Sequence, residues 1–111
     1  MSVRGTLLRV FVDEDDRYGS KPLYQAVVES LKGAGFSGAT VLKAVEGFGI
    51  SGRVHSLRTV EYTTSLPVLI EVIERDDKVR AFVPRLRSMV AQGLITLECV
   101  ELVRFQWGER P

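Results

Sequence analysis

Three glycines, the only histidine and two arginines lie together in the stretch VEGFGISGRVHSLR, residues 45–58. Gly47, Gly49 and Gly52 have the spacing G-x-G-x-x-G, which in dinucleotide-binding proteins joins a strand to a helix whose N-terminus receives a pyrophosphate. The residues that follow, RVHSLRTVEYTTS, are rich in β-branched side chains and have no helical apolar stripe. A dinucleotide-binding fold is therefore disfavoured, and the glycines predict a conformationally free excursion.

The same stretch is cationic. Lys43 precedes it, and Arg53, His55 and Arg58 lie within it. Backbone amides freed by glycines, together with guanidinium groups, are typical of an anion or phosphate site. A solvated loop whose charges only keep it soluble explains the residues equally well, and it is the favoured interpretation for His55 taken alone.

The acidic run Asp13 to Asp16 raises the question of a metal site. Counted from Asp13, an EF-hand loop requires glycine at its sixth position and glutamate at its twelfth, where this chain has Tyr18 and Tyr24. The run therefore fails that pattern. Carboxylates for acid/base catalysis remain an alternative, but a solvated loop between a strand and a helix is favoured.

Cys99 is the only cysteine, so an internal disulfide is excluded, and one cysteine with one histidine cannot form a structural zinc site. Its position in the last predicted strand predicts a buried, inert thiol. No set of nucleophile, base and orienting group is recognisable. We therefore expect no metal, no cofactor and no enzymatic activity.

Length and charge limit the remaining classes. A chain of 111 residues forms one domain. Fifteen basic and fourteen acidic residues leave a net charge of +1, which disfavours a nucleic-acid partner. The chain has no apolar run near the ~18 residues that a membrane span requires, so a cytoplasmic location is expected.

Apolar periodicity predicts the order β-α-β-loop-β-α-β. The predicted strands are residues 6–12, 39–45, 68–74 and 94–103, with a short β-prone segment at 58–64. The first helix is predicted to have Pro22 in its first turn and Ser20 as its cap, and to end near Gly33 and Gly35. The second helix begins at Asp76 and Asp77 and contains Pro84, where a kink or a broken first turn is expected. This order predicts an α+β, ferredoxin-like fold with a four-stranded antiparallel sheet and two helices on one face.

Alternation within the strands predicts two different sheet faces. The face under the helices is predicted to contain Leu8, Val10, Val12, Leu42, Ala44, Val68, Ile70, Val72, Ile95, Leu97 and Cys99. The other face is predicted to contain Leu7, Arg9, Phe11, Val41, Lys43, Val45, Leu69, Glu71, Ile73, Thr96, Glu98 and Val100. Apolar groups mixed with four charges favour a face that packs on other subunits with its charges paired or marginal. The alternative is an exposed apolar sheet that would aggregate.

The segments LLRVFVDEDDRYGSKPLYQAVV, GFSGATVLKAVEGFG, GRVHS, LPVLIEVIE and MVAQGLITLECVEL resemble an uncharacterised family of small bacterial and archaeal proteins, a domain of unknown function related to the PII signalling proteins. The resemblance covers residues 6–103. It implies a PII-like trimer with sheets facing inward and helices outward, and a long loop at 47–58. The residues themselves predict a loose tail at 104–111. The loop resembles the one by which PII proteins touch partners and bind nucleotide between subunits. The chain has only AQGLITLE where PII proteins have a second glycine-rich phosphate loop.

The resemblance and the residues together predict a non-enzymatic regulatory protein. It is expected to form a homotrimer, to bind a nucleotide or another anion at the cleft between subunits, and to regulate a partner, for which a membrane transporter is the first candidate. The predicted ligand-binding residues are Lys43, Gly47, Phe48, Gly49, Gly52, Arg53, His55 and Arg58. The alternatives are a metal-handling trimer that resembles the copper-tolerance proteins and a small enzyme that uses Asp15, Asp16 and His55 at the cleft.

Overall fold

The computed structural model describes residues 3–47 and 65–107. Along these residues the elements are β1 (Val3–Asp13), β2 (Arg17–Tyr18), β3 (Lys21–Pro22), α1 (Leu23–Gly33), β4 (Thr40–Lys43), β5 (Pro67–Glu74), α2 (Asp76–Met89) and β6 (Leu94–Leu102). The predicted βαββαβ order is confirmed, with the small hairpin β2–β3 as an unpredicted addition. The predicted β-prone segment at 58–64 lies outside the described residues.

One antiparallel sheet holds the four long strands in the order β4-β5-β1-β6. The central strand β1 pairs with β5 from Thr6 to Asp13 and with β6 from Val3 to Phe11. This order places β4 and β6 at the two edges of the sheet, so the segment that leaves β4 departs from an edge.

The core lies between one face of this sheet and the two helices. Apolar residues of β1 and β5 alternate with outward residues, and the helices contribute apolar residues at intervals of three and four. The fully buried members include Leu8, Val10, Val12, Val27, Leu31, Val68, Ile70, Val79 and Leu86. The predicted ferredoxin-like α+β fold is therefore confirmed, with both helices covering the predicted face of β1 and β5.

The start of α1 differs from the prediction. The residue before its first turn is Pro22, no side chain caps the helix, and Ser20 lies further back in the β2–β3 hairpin. The Leu23 amide donates to the Asp16 carbonyl at 2.7 Å instead. Ser20 as a cap is therefore wrong, because a backbone group of the preceding turn satisfies the first amide.

Pro84 lies inside α2, which continues unbroken from Asp76 to Met89. The predicted broken first turn is wrong, because Pro84 is the ninth helical residue rather than one of the first few. Asp76 and Asp77 do occupy the first turn, where carboxylates interact favourably with the positive end of the helix dipole.

The predicted faces of β4 are wrong. Val41 pairs with Ile70, and Lys43 pairs with Val68, so both belong to the helix side of the sheet. Leu42 pairs with Leu69 and belongs to the opposite face. All four residues of this edge strand are exposed, so its sequence carries no contrast between a buried and a solvated side.

A buried carboxylate lies at the end of β5. Glu74 is fully buried, and its Oε1 accepts hydrogen bonds from the amide and the hydroxyl of Ser37, each at 3.1 Å. Glu74 Oε2 has no hydrogen-bond partner. Ser37 therefore supplies the donors that make burial of this charged group tolerable. In the described part of the chain, no helix is long and apolar enough to cross a membrane.

Candidate functional site

The two ends of the excursion after β4 meet at the edge of the sheet. The Ala44 amide donates to the Pro67 carbonyl at 2.9 Å, which extends the β4–β5 pairing by one hydrogen bond. A Cβ on Gly47 would lie 3.0 Å from Cγ of Pro67, so glycine permits the chain to pass close to the proline ring. The start and the return of the excursion are thus held together at its base.

Lys43 lies at this base, with its side chain 56% exposed. Its Nζ is 3.5 Å from Oε1 of Glu14, whose side chain is 21% exposed. The Glu14 amide donates to the Leu66 carbonyl at 2.9 Å, which ties the turn after β1 to the returning end of the excursion. Lys43, Gly47 and Glu14 therefore all lie near the returning end of the excursion.

The acidic run forms a tight turn. The Asp13 amide donates to Asp16 Oδ2, and the Asp15 amide donates to Asp13 Oδ1, both at 2.9 Å. Local bonds of this kind are what aspartates commonly make in turns. Glu14 is the member of the run that reaches Lys43. Sequence reasoning treated the run as one feature and missed this pairing, because the two residues are far apart in the chain.

Of the predicted ligand-binding residues, the structure describes Lys43 and Gly47 and brings both to the base of the excursion. Phe48, Gly49, Gly52, Arg53, His55 and Arg58 lie outside the described residues. Among the residues that are described, no three His, Cys, Asp or Glu side chains come together in a way that could hold a metal ion.

The sheet face away from the helices is arranged in rows across the strands. One row is apolar across all four strands and consists of Leu42, Leu69, Phe11 and Leu94. The next row is polar and consists of Thr40, Glu71, Arg9 and Thr96. Leu42 and Leu94 are each 48% exposed and Ile73 is 46% exposed, so this open face presents large apolar groups to its surroundings.

The charges on the open face form a network around Arg9. Arg9 Nε donates to Glu71 Oε2 at 2.8 Å, and Arg9 Nη1 lies 3.6 Å from Glu98 Oε1. The central strand thus supplies the cation, and each neighbouring strand supplies one carboxylate. The predicted pairing of these three charges is confirmed, whereas Lys43 belongs to the other side of the sheet and pairs with Glu14.

Residues beyond β6 fold back over one end of the open face. A Cβ on Gly5 would lie 3.0 Å from Leu102 Cδ1 and 3.4 Å from a ring carbon of Trp107. The rings of Phe105 and Trp107 are 5.0 Å apart between centroids. The glycine therefore leaves room for the tryptophan to lie against the sheet.

Cys99 is exposed, so the predicted burial of its thiol is wrong. It does lie on the helix side of β6, opposite Thr6, but β6 is an edge strand and the helices do not cover this end of it. A shallow cavity of about 250 Å³ is lined there by Thr6, Asp76, Arg80 and Cys99, among others. Alternation along a strand predicts which face of the sheet a residue belongs to, but it does not predict how much of that face the helices cover.

Asp76 lies in that cavity and is strongly hydrogen-bonded. Its Oδ1 accepts from Thr6 Oγ1 at 2.6 Å, and Arg80 Nε lies 2.9 Å from Oδ2. The hydrogen bond from the Thr6 hydroxyl is the largest cause that lowers the pKa of the Asp76 carboxyl below its ordinary value; desolvation opposes it, and Arg80 lowers the pKa further. The ionised form of Asp76 is thereby favoured at the start of α2.

A wider groove of about 990 Å³ runs between α1 and α2, and the β2–β3 hairpin closes one side of it. Small residues on facing helix turns leave this space open, including Ala26, Ser30, Gly33 and Ala81. Nothing in the sequence pattern predicted the groove, because a stripe of small residues resembles any packed helix surface.

Two sequence comparisons find proteins that are similar to this chain over most of its length. The sequence profile of the family DUF190, described as an uncharacterised ACR, matches residues 5–102. A UPF0166 protein of Aquifex aeolicus is 36% identical over 101 residues, which cover 91% of this chain and 95% of that protein. A UPF0166 protein of Methanocaldococcus jannaschii is 28% identical over 96 residues, which cover 86% of this chain and 88% of that protein.

A solved structure shows the same fold at low sequence identity. The crystal structure of a Thermus thermophilus protein, provisionally described as a PII-like signaling protein, aligns with a TM-score of 0.63 and 20% identity. The alignment covers 92% of each chain. At this identity the likeness concerns the fold.

Proposed function

Because this chain belongs to the DUF190 family and has a PII-like fold, we propose that it is a non-enzymatic regulatory protein of the cytoplasm. It assembles as a homotrimer through the open sheet face. It binds an anionic small molecule, such as a nucleotide, at the cleft between subunits and uses the excursion after β4 to contact a regulated partner.

The open face is the observation that carries this proposal. An apolar row crosses all four strands, while Arg9 and Glu71 lie in the next row and Glu98 lies in the row after it, with both glutamates paired to Arg9. A face in contact with water gains nothing from four large apolar groups in line, while an interface between subunits buries them. Mutual pairing allows the three charges to be buried with the apolar groups.

The base of the excursion supports the anion site. Lys43 places a flexible ammonium group at the edge of the sheet, and Gly47 begins the glycine-rich stretch there. Ammonium groups and free backbone amides both bind phosphate and carboxylate oxygens. The proposed ligand contacts are Lys43, Gly47, Phe48, Gly49, Gly52, Arg53, His55 and Arg58.

The position of the excursion at the edge of the sheet also supports the proposed regulatory role. The excursion leaves the edge strand β4 and returns at β5, so a ligand at its base lies where a partner would be contacted. Ordering of such a segment by a ligand changes the free energy of partner binding. The proposed partner is a membrane transporter.

Two measurements test the two halves of the proposal. Light scattering at micromolar concentration is expected to give three times the chain mass of 12.4 kDa. Leu69→Asp, in the apolar row, is expected to give the single-chain mass. Ala81→Asp changes an exposed residue of α2, away from the open sheet face, and is expected to retain the trimer. A wild-type protein with a mass of 12.4 kDa would contradict the assembly.

A thermal-shift screen tests the ligand. ATP, AMP, NAD and pyrophosphate are added over a concentration series, since a ligand of the native state raises the midpoint with the logarithm of its concentration. At least one anion is expected to raise the wild-type midpoint and to do so less in Lys43→Met. If none of them shifts the wild-type protein, the ligand half of the proposal is wrong.

A further inference from the structure

We propose that Glu14 is a charge filter for the anion site at the base of the excursion. The Glu14 carboxylate pairs with the ammonium group of Lys43. It also repels an anionic ligand, and the repulsion increases with the negative charge of the ligand. The inference rests on the proposed function, since it concerns which anions that site accepts. The site would thereby favour anions of low charge over polyphosphates.

The geometry singles out Glu14 within the acidic turn. Asp13 and Asp16 direct side-chain oxygens to amides of the turn itself. Glu14 instead holds its Oε1 3.5 Å from Lys43 Nζ. Its side chain is 21% exposed, whereas that of Lys43 is 56% exposed, so the carboxylate is the more enclosed member of the pair.

The position of Glu14 is fixed by the backbone. Its amide donates to the Leu66 carbonyl at 2.9 Å, one residue before the Pro67 ring that packs on Gly47. The main chain of Glu14 therefore belongs to the same base as Lys43, and this places the carboxylate within reach of the ammonium group. Lys43 has a long flexible stem and can turn toward a ligand.

Two electrostatic effects follow for an anion that binds Lys43. The ligand must compete with the carboxylate already near the ammonium group, and it must also bind close to the negative charge of that carboxylate. The first effect is similar for all anions. The second grows with the charge of the ligand, so it discriminates between a nucleoside monophosphate and a triphosphate.

The test measures binding of AMP and ATP to four proteins by titration calorimetry at one pH and one ionic strength. They are the wild type, Glu14→Gln, Lys43→Met and Glu29→Gln. Glu29 is a matched control, since it also pairs with a lysine, Lys21 at 2.7 Å, but on the helix face, and its substitution changes the net charge equally. Circular dichroism checks that each variant is folded, and Glu14→Ser replaces Glu14→Gln if the latter is not.

Glu14→Gln is expected to bind ATP about tenfold more tightly than the wild type and to bind AMP more tightly by a smaller factor. Tenfold lies between the effects expected for unit charges about 4 Å apart in bulk water and at a protein surface. Glu29→Gln is expected to match the wild type, and Lys43→Met to bind both ligands more weakly. An ATP-to-AMP affinity ratio in Glu14→Gln equal to that in Glu29→Gln overturns the filter while leaving the anion site intact. Absence of binding by all four proteins overturns the anion site itself, and the filter with it.

Discussion

Arg9 on β1 and Glu71 on β5 lie directly opposite each other on the open sheet face, with Arg9 Nε 2.8 Å from Glu71 Oε2. Glu98 approaches the same guanidinium group from β6 at 3.6 Å. The centre of the face thus holds one positive and two negative charges. The two carboxylates can be buried in an interface because the guanidinium group of Arg9 compensates their negative charges.

Arg9→Met should therefore weaken the proposed assembly. It leaves two carboxylates without their cation, and we expect the trimer to dissociate at protein concentrations at least tenfold higher than for the wild type. Glu98→Gln removes the excess negative charge and is expected to strengthen the trimer several-fold. Analytical ultracentrifugation over a concentration series measures both, and equal behaviour of the two variants would contradict the role assigned to the network.

The strand pattern predicted the two faces well wherever a strand is long and half-buried. In β1 and β5 the buried and outward residues alternate over most of the strand, so their parity fixes the face of each residue. In β4 both neighbours Val41 and Leu42 are apolar and exposed, and only the pairing with Ile70 and Leu69 assigns their faces. Short edge strands lack the burial contrast on which this reasoning depends.

The candidate site was less predictable than the fold. Lys43 and Gly47 are neighbours in the sequence, and their chemistry could be recognised there. Glu14 enters the site because β1 and β4 both end beside the strand that lies between them, β5. Contacts of that kind depend on strand order, which periodicity does not give.

Gly93, before β6, provides a test of local backbone constraint. Its φ is +151°, and a Cβ there would lie 2.6 Å from the Phe11 carbonyl oxygen. Gly93→Ala should lower the free energy of unfolding by about 2–4 kcal/mol, because the strained conformation and the contact both oppose a side chain. Urea unfolding at a fixed protein concentration measures this effect.

Gly33→Ala is the matched control for that substitution. Gly33 is the last residue of α1, its φ is not positive, and an added Cβ would meet nothing within 4 Å. The same chemical change should therefore raise the free energy of unfolding by about 0.5–1 kcal/mol. If both substitutions lowered the free energy of unfolding by a similar amount, the backbone conformation of Gly93 would not explain the effect of Gly93→Ala.

Ser37 should contribute to stability because it donates hydrogen bonds to the buried carboxylate of Glu74. Ser37→Ala removes the hydroxyl donor to buried Glu74 but keeps the amide donor, and we expect a loss of about 1–2 kcal/mol. Ser88→Ala is the control, since its hydroxyl bonds to the Arg85 carbonyl at an exposed place and should change stability by less than about 0.5 kcal/mol. Equal denaturation midpoints for the two variants would contradict this assignment.

Asp76 predicts how one part of the stability depends on pH. The Thr6 hydroxyl and Arg80 lower the pKa of its carboxyl in the folded protein, so the folded state binds a proton less readily than the unfolded chain does. The stabilisation is therefore present above the ordinary carboxyl pKa of about 4 and is lost as the pH falls through the lowered folded value.

Thr6→Val removes the largest cause of the lowered pKa. The free energy of unfolding of the wild type should exceed that of Thr6→Val most above about pH 5, and the difference should shrink toward pH 3. In an Asp76→Asn background the same substitution should produce a difference that does not vary with pH, and urea midpoints of the four proteins across that range measure it. A wild-type advantage that grows toward low pH would reverse the sign and refute the assignment.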